Sequence, residues 1–224
     1  MIKVKAHVYV FDAYGTLLDV HAAIARHRAE AGPEAERFSE IWRTKQLEYT
    51  WTLTLAGSYV DFWSLTERAL DYAFARVPSV DPALRSKLLE AYFKLDAFPD
   101  AAEAVAILKS RGLQLAILSN GSPPMLAAAA QASGLADKLD AVLSVDAVRV
   151  YKPRPEVYAL VTGRFGIAPQ DVAFISSNRW DVMGAASFGF QAVWVNRGRV
   201  PDEYSDRPPQ HVIASLAELP ALAA

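Results

Sequence analysis

Short runs of almost continuously apolar residues recur along the chain, each ending at polar or turn-forming positions. The first, Ala6-His7-Val8-Tyr9-Val10-Phe11-Asp12, is rich in β-branched and aromatic types and stops at a turn containing Gly15. It reads as a buried strand with a carboxylate at its C-terminal end. Similar runs occupy 113–119, 140–145, 172–176 and 191–195. Apolarity at consecutive rather than alternate positions marks parallel strands covered on both faces. From residue 99 onward helical patterns alternate with these runs. Pro99-Asp100 stands at a helix start, Gly112 follows that helix's last turn, and further helices are predicted near 122–133, 155–165 and 180–188. Such alternation predicts a doubly wound sheet.

Between the first strand and Pro99 no convincing strand pattern occurs. Leu47, Trp51 and Leu55 fall at i, i+4 and i+8, and Phe62, Leu65, Ala69 and Tyr72 trace a similar stripe, which predicts amphipathic helices. The expected fold class is α/β: a Rossmann-like parallel-sheet core from residues 1–16 and 99–224, with a helical cap, residues 17–98, inserted between. Pro201 to Pro209 reads as a polar loop with paired prolines, and no internal repeat is evident.

Composition narrows the function. A chain of 224 residues, 52% hydrophobic, can bury one core and support a smaller accessory unit. The formal net charge of -2 provides no basic field for nucleic acid or an anionic membrane, so a small-molecule or protein partner fits better. The absence of Cys removes disulfides, thiolate nucleophiles and Cys-based zinc sites. No run approaches the ~20 apolar residues of a membrane span, and the basic start Met1-Ile2-Lys3-Val4-Lys5 leads into a run broken by Asp12 with no cleavage site. A soluble cytoplasmic protein is expected. His7, His21, His27 and His211 lie outside every motif and no Gly-x-Ser-x-Gly elbow occurs, which argues against a serine hydrolase.

Ligands of open α/β sheets bind beyond the carboxyl ends of the strands. The residues there are Asp12, Ser119-Asn120, Lys152 and Ser176 through Asp181. Singly, each is an ordinary turn former, helix cap or surface lysine. Together, at successive strand ends, they bring carboxylates, an ammonium and neutral hydrogen-bonding groups to one place, an arrangement that is costly without a function. A buried carboxylate beside Lys152 stays ionised and can attack an electrophilic carbon or phosphorus.

The motifs Asp12-Ala13-Tyr14-Gly15-Thr16-Leu17, Ser119-Asn120-Gly121, Lys152-Pro153 and Ser176-Ser177-Asn178-Arg179-Trp180-Asp181, with the segment from Trp42 to Trp51, resemble in content and order the L-2-haloacid dehalogenases of the haloacid dehalogenase superfamily. The phosphatase branch of that superfamily carries a second Asp two positions after its nucleophile, where this chain has Tyr14. The resemblance therefore implies metal-free catalysis without an organic cofactor, acting on short L-2-haloalkanoic acids. It implies Asp12 as nucleophile, forming an ester with inversion at C2 and ultimately a D-2-hydroxy acid. Thr16, Ser176 and Asn178 would orient Asp12 or water, Lys152 and Asp181 would be its charged partners, and Tyr158 would assist that network. Ser119 would bind the substrate carboxylate. Arg43, by itself a surface ion-pair candidate, would receive the halide together with the amide of Asn120, and Tyr14, Leu47, Phe62 and Trp180 would wall the site. A homodimer is implied, and the cap's Trp and Phe residues are expected to be exposed. A Mg²⁺-dependent phosphatase, a catalytically silent binding protein and a hydrolase opening a strained cyclic amine remain alternatives.

Overall fold

The computed structural model describes residues 3–223. Strand β1 (Val8–Phe11) is followed only by helices: the short α1 (Ala22–Ala25) and α2 (Arg28–Ala31), then α3 (Ala35–Leu55), α4 (Phe62–Arg76) and α5 (Arg85–Phe93). The chain then alternates through α6 (Ala101–Ser110), β2 (Gln114–Ser119), α7 (Pro123–Ala132), β3 (Ala141–Ser144), α8 (Pro155–Phe165), β4 (Val172–Ser176), α9 (Arg179–Phe188) and β5 (Gln191–Val195), and ends with β6 (His211–Ile213) and α10 (Leu219–Leu222). The order β3-β2-β1-β4-β5-β6, parallel throughout, is that of an open α/β sheet. Its order reverses between β1 and β4, which places the crevice where their carboxyl ends meet.

Every residue of β1 and β4 is inside, as their composition requires, whereas β3, expected to be covered on both faces, is an edge strand: none of its residues is fully buried and Val142 is exposed. Register brings their ends together, since Phe11 pairs with both Ile117 and Ile175, and the Asp12 amide donates to the Ile175 carbonyl at 2.9 Å. The leading residues of the helices set their starts. Asp61 caps α4 by accepting from the Ser64 amide at 3.1 Å, and Pro123 and Pro155 open α7 and α8, where a missing N–H costs nothing. The two crossings between sheet and helical segment run side by side: Leu18 bridges Ala97 and the Phe98 amide donates to the Leu17 carbonyl.

Several expectations need correction. The buried face of α3 carries Phe38, Trp42, Gln46 and Thr50, whereas Leu47 and Trp51 are half-buried and Leu55 is 88% exposed. Three polar residues, Ser39, Gln46 and Thr50, are buried on this helix, so an apolar stripe pointed to the wrong side. The predicted α4 stripe holds at Phe62, Leu65 and Ala69, with Tyr72 half-buried. Strand β6 was not expected, because its three residues, one of them the exposed Val212, are too few to form a pattern without β5 beside them. The Trp and Phe side chains of the cap segment are buried or half-buried rather than exposed, since they fill the seams between its helices and the sheet. Among the described residues no helix is long and apolar enough to cross a membrane.

Candidate active site

Asp12 follows β1 into a tight turn and receives donors from three directions. Its Oδ2 accepts from Thr16 Oγ1 at 3.0 Å, Asn178 Nδ2 at 2.7 Å and, at 3.4 Å, Ser176 Oγ. Its Oδ1 accepts from Lys152 Nζ at 3.1 Å. The two oxygens are thus unequal: one is saturated by neutral donors, the other faces a cation and keeps lone-pair capacity. Thr16 Oγ1 and Ser176 Oγ also accept from the backbone amides of Ser177 and Asn178, which fixes both hydroxyls to donate toward Asp12.

Behind Asp12 lies a buried triad. Lys152 Nζ also donates to Asp181 Oδ2 at 2.8 Å, and Asp181 Oδ1 accepts from the Tyr158 hydroxyl at 2.7 Å. Burial opposes the Lys152 ammonium, but the carboxylates of Asp12 and Asp181 outweigh it and hold its pKa above the ordinary lysine value. Burial raises the Asp181 carboxyl to about 6 in spite of Lys152, and the nearby Asp12 charge adds to the rise. Burial also drives the Tyr158 hydroxyl well above its usual range, with the Asp181 charge adding to it, so it remains a donor.

Gly184 makes the close packing of α9 on α8 possible. A Cβ there would stand 2.6 Å from Pro153 Cβ and overlap the Tyr158 hydroxyl. Gly184→Ala is therefore expected to destabilise the protein by roughly 1–3 kcal/mol, the usual cost of overpacking, and to lower activity by shifting Tyr158 from Asp181. An unchanged melting temperature and turnover would show that Tyr158 and Pro153 can give way.

In front of Asp12 the cap segment closes a small cavity, about 10 Å³, lined by Asp12, Tyr14, Arg43, Leu47, Phe62, Ser119, Asn120, Asn178 and Trp180. That is about the space of one water. The Trp51 and Trp180 rings meet edge to face across this junction, centroids 5.4 Å apart, and Tyr14 and Phe62 lie at 5.6 Å. Arg43 Nη2 donates to the Tyr14 carbonyl at 3.1 Å. Asn120 Oδ1 accepts from the Lys152 amide, which leaves its NH₂ to point elsewhere, and Ser119 Oγ accepts from the Gly121 amide and keeps its proton to donate. A larger groove, about 560 Å³, lies beside edge strand β3, but Asp146 is its only ionisable lining residue.

All the residues singled out in the sequence come together here. Thr16, Lys152, Ser176, Tyr158 and Asp181 lie behind the cavity instead of lining it. Sequence reasoning missed the arginines that hold the surrounding backbone. Arg179 donates to Asp202 Oδ1 at 2.7 Å and to the carbonyls of Tyr204 and Arg207, pinning the proline-containing loop beside Trp180. Arg197 pairs with Asp100 at 2.5 Å, donates to the Thr16 carbonyl at 3.1 Å and lies over the Phe98 ring. An arginine inside the Ser176–Asp181 motif was the available signal for the first; the second had none, because its partners are remote in sequence.

The parallel sheet thus carries an Asp just after β1, a Ser-Asn pair at the end of β2, a Lys between β3 and α8 and an Asp on α9. The family model of the haloacid dehalogenase-like hydrolases matches residues 6–189, and the chain belongs to that family. Within it, the chain is 48% identical to (S)-2-haloacid dehalogenase 1 of Pseudomonas sp. (strain CBS-3), over 95% of this chain and 94% of that one. A crystal structure of a dehalogenase with an intermediate complex superimposes with a TM-score of 0.96 at 46% identity, covering 100% of this chain and 99% of that one. The L-2-haloacid dehalogenase from Xanthobacter autotrophicus with chloropropionic acid covalently bound gives a TM-score of 0.85 at 38% identity, covering 97% of this chain and 98% of that one.

Proposed function

We propose that this protein is an (S)-2-haloacid dehalogenase, converting short L-2-haloalkanoic acids and water to D-2-hydroxy acids, halide and a proton. The observation that carries the reading is the inequality of the Asp12 oxygens, with Oδ2 held by Thr16, Ser176 and Asn178 and Oδ1 held only by Lys152 at the edge of a cavity overhung by Arg43. The relatives named above support the substrate class. Residues 17–98 act as the cap that supplies specificity, and residues 1–16 with 99–224 as the core that supplies the nucleophile.

Ser119 anchors the substrate carboxylate, and Tyr14, Leu47, Phe62 and Trp180 enclose its alkyl chain. Asp12 Oδ1 attacks C2 opposite the halogen. An O–C2 bond forms, the C2–halogen bond breaks with its electron pair going to halide, and the centre inverts. The halide leaves toward Arg43 and the Asn120 amide, donors whose value is greatest where water is scarce. Water then attacks Cγ of the Asp12 ester. Negative charge gathers on Oδ2, where Thr16, Ser176 and Asn178 already point, and Asp181, its carboxyl raised to about 6, takes the water's proton with Lys152 and Tyr158 holding it in place. The Cγ–Oδ1 bond then breaks, Asp181 returns its proton to the departing oxygen so that the hydroxy acid leaves, and loss of the second water proton restores the Asp12 carboxylate.

A Mg²⁺-dependent phosphatase fits the residues less well. Lys152 Nζ already lies between the carboxylates of Asp12 and Asp181, and Tyr14 stands where a further carboxylate would be needed. The three hydroxyl and amide donors spent on Asp12 argue against a silent binding protein. Halide release from the enantiomers of 2-chloropropionate and from haloacetates, with and without EDTA, tests the reading. Release from the S enantiomer that survives EDTA supports it; phosphate-ester hydrolysis abolished by EDTA, with no halide released, would replace it. Arg43→Ala is expected to slow chloride release about 100-fold, the usual effect of losing one charge-stabilising donor, and a rate near wild type would return Arg43 to a packing role. A cytoplasmic homodimer completes the proposal, with the exposed Leu55 and Val142 as apolar surface that assembly would cover; light scattering in solution checks the mass.

A further inference from the structure

Gln46 lies on the inner face of α3, 1% exposed, on the same face as Phe38 and Trp42. A buried amide is costly unless its groups are paired, and here the pairing allows only one orientation. Thr66 Oγ1 donates its single proton to the Phe62 carbonyl at 2.7 Å, so toward Gln46 it can only accept, and it does so from Nε2 at 2.6 Å. Gln46 Oε1 is thereby turned the other way. It accepts from Arg43 Nη1 at 2.8 Å and from the Tyr92 hydroxyl at 3.1 Å, and the Tyr92 ring lies parallel to Tyr14 with centroids 5.8 Å apart.

Arg43 makes no ion pair with a carboxylate among the described residues. Its acceptors, Gln46 Oε1 and the Tyr14 carbonyl, are both neutral. A carboxylate at position 46 would grip the guanidinium as firmly but cancel its charge, whereas an amide orients it and leaves the charge free for an anion.

Resting on the haloacid reading above, we propose that Gln46 is a positioning residue for halide departure: held by Thr66 and Tyr92, it aims the uncompensated Arg43 guanidinium at the leaving halide. As the C2–halogen bond breaks, the electron pair moves onto the halogen, and a misaimed Arg43 stabilises that charge less. The loss is greatest for chloride, the smallest of the three common halides and the one with the most concentrated charge, and least for iodide. A residue that merely fills the α3–α4 seam would affect all halogens alike.

Single-turnover halide release from 2-chloro-, 2-bromo- and 2-iodopropionate, with enzyme in excess, measures this step apart from ester hydrolysis. Gln46→Leu is expected to lose about 10-fold or more with chloride and less than about threefold with iodide, a part of the loss that removal of the whole donor causes. Gln46→Glu keeps an acceptor but adds a charge, and is expected to lose on chloride too. Thr66→Val, which removes only the group that orients the amide, is expected to show the same halogen order on a smaller scale, and serves if the Gln46 variants do not fold. Equal losses across the three halogens would overturn the proposal, and full chloride activity in Gln46→Glu would overturn the part that rests on neutrality. Wild type releasing no halide at all would overturn the haloacid reading itself, while wild-type turnover with unshifted halogen ratios in the variants would overturn the Gln46 role alone.

Discussion

Asp12→Asn abolishes halide release while the protein keeps its melting temperature within a few degrees. The amide is nearly isosteric with the carboxylate and far less nucleophilic, and losses on the order of 10⁴-fold or more are usual when a member of a covalent catalytic unit is removed. The fold tolerates the change because Oδ2 can still be a carbonyl oxygen accepting from Thr16, Ser176 and Asn178, with the new NH₂ in place of Oδ1. That NH₂ would face the Lys152 ammonium, so some stability is lost as well. Turnover comparable to wild type in freshly purified, undeamidated protein would remove Asp12 as nucleophile. The same carboxylate decides between two routes. If water attacked C2 directly, with Asp12 as its base, ¹⁸O from water would appear at once in the hydroxy acid. Attack on an Asp12 ester puts the label into the Asp12 carboxylate during a single turnover with excess enzyme, and leaves the product oxygen unlabelled. The ester is expected, because Oδ1, held only by Lys152, keeps lone-pair capacity at the edge of the cavity and is placed for displacement.

Lys152→Met carries the largest expected stability effect. The side chain is fully buried between two carboxylates, and removing one partner of a buried ionic group typically costs about 3–5 kcal/mol because the remaining charges lose their compensation. In the variant, Asp181, whose carboxyl is already raised by burial and the Asp12 charge, loses the ammonium that holds it down and binds its proton more tightly still than in the unfolded chain. A carboxyl raised in the folded state favours folding at acid pH and loses that advantage as pH rises through its folded pKa. The gap between variant and wild type should accordingly narrow toward acid pH and widen toward neutral. In wild type the raised Lys152 value works in the other range: its contribution is complete below the ordinary lysine pKa and is lost only as pH rises through the higher folded value. Halide release should fall with the stability, and by more, since ester hydrolysis also loses the group that orients Asp181. Urea unfolding at several pH values together with turnover checks both. A variant as stable as wild type at neutral pH would mean that the triad is not ionised as drawn.

Much of this protein was determined by the sequence on its own. The strands of the sheet were legible because parallel strands covered on both faces must be apolar at every position, a local property that any short window shows. Asp12, Ser119, Asn120, Lys152, Ser176, Asn178 and Asp181 were legible as a site because they end those strands or lie in the connections that follow them, and an open sheet brings strand ends to one crevice whatever else it does. Their distances, and the division of donors between the two Asp12 oxygens, were not. The tertiary structure decided which face of α3 turns inward: Gln46 and Thr50 occupy it, and the partners Thr66 and Tyr92, far off in sequence, join Arg43 in satisfying the buried amide there. It also decided that Leu55 lies in solvent, that His211–Ile213 becomes a strand beside β5, and that Arg179 and Arg197 brace the loops around Thr16 and Trp180. The physical reason is common to all of these. Burial on both faces of a strand is written into consecutive residues, whereas a hydrogen bond between residues distant in sequence exists only once the fold has brought donor and acceptor within about 3 Å.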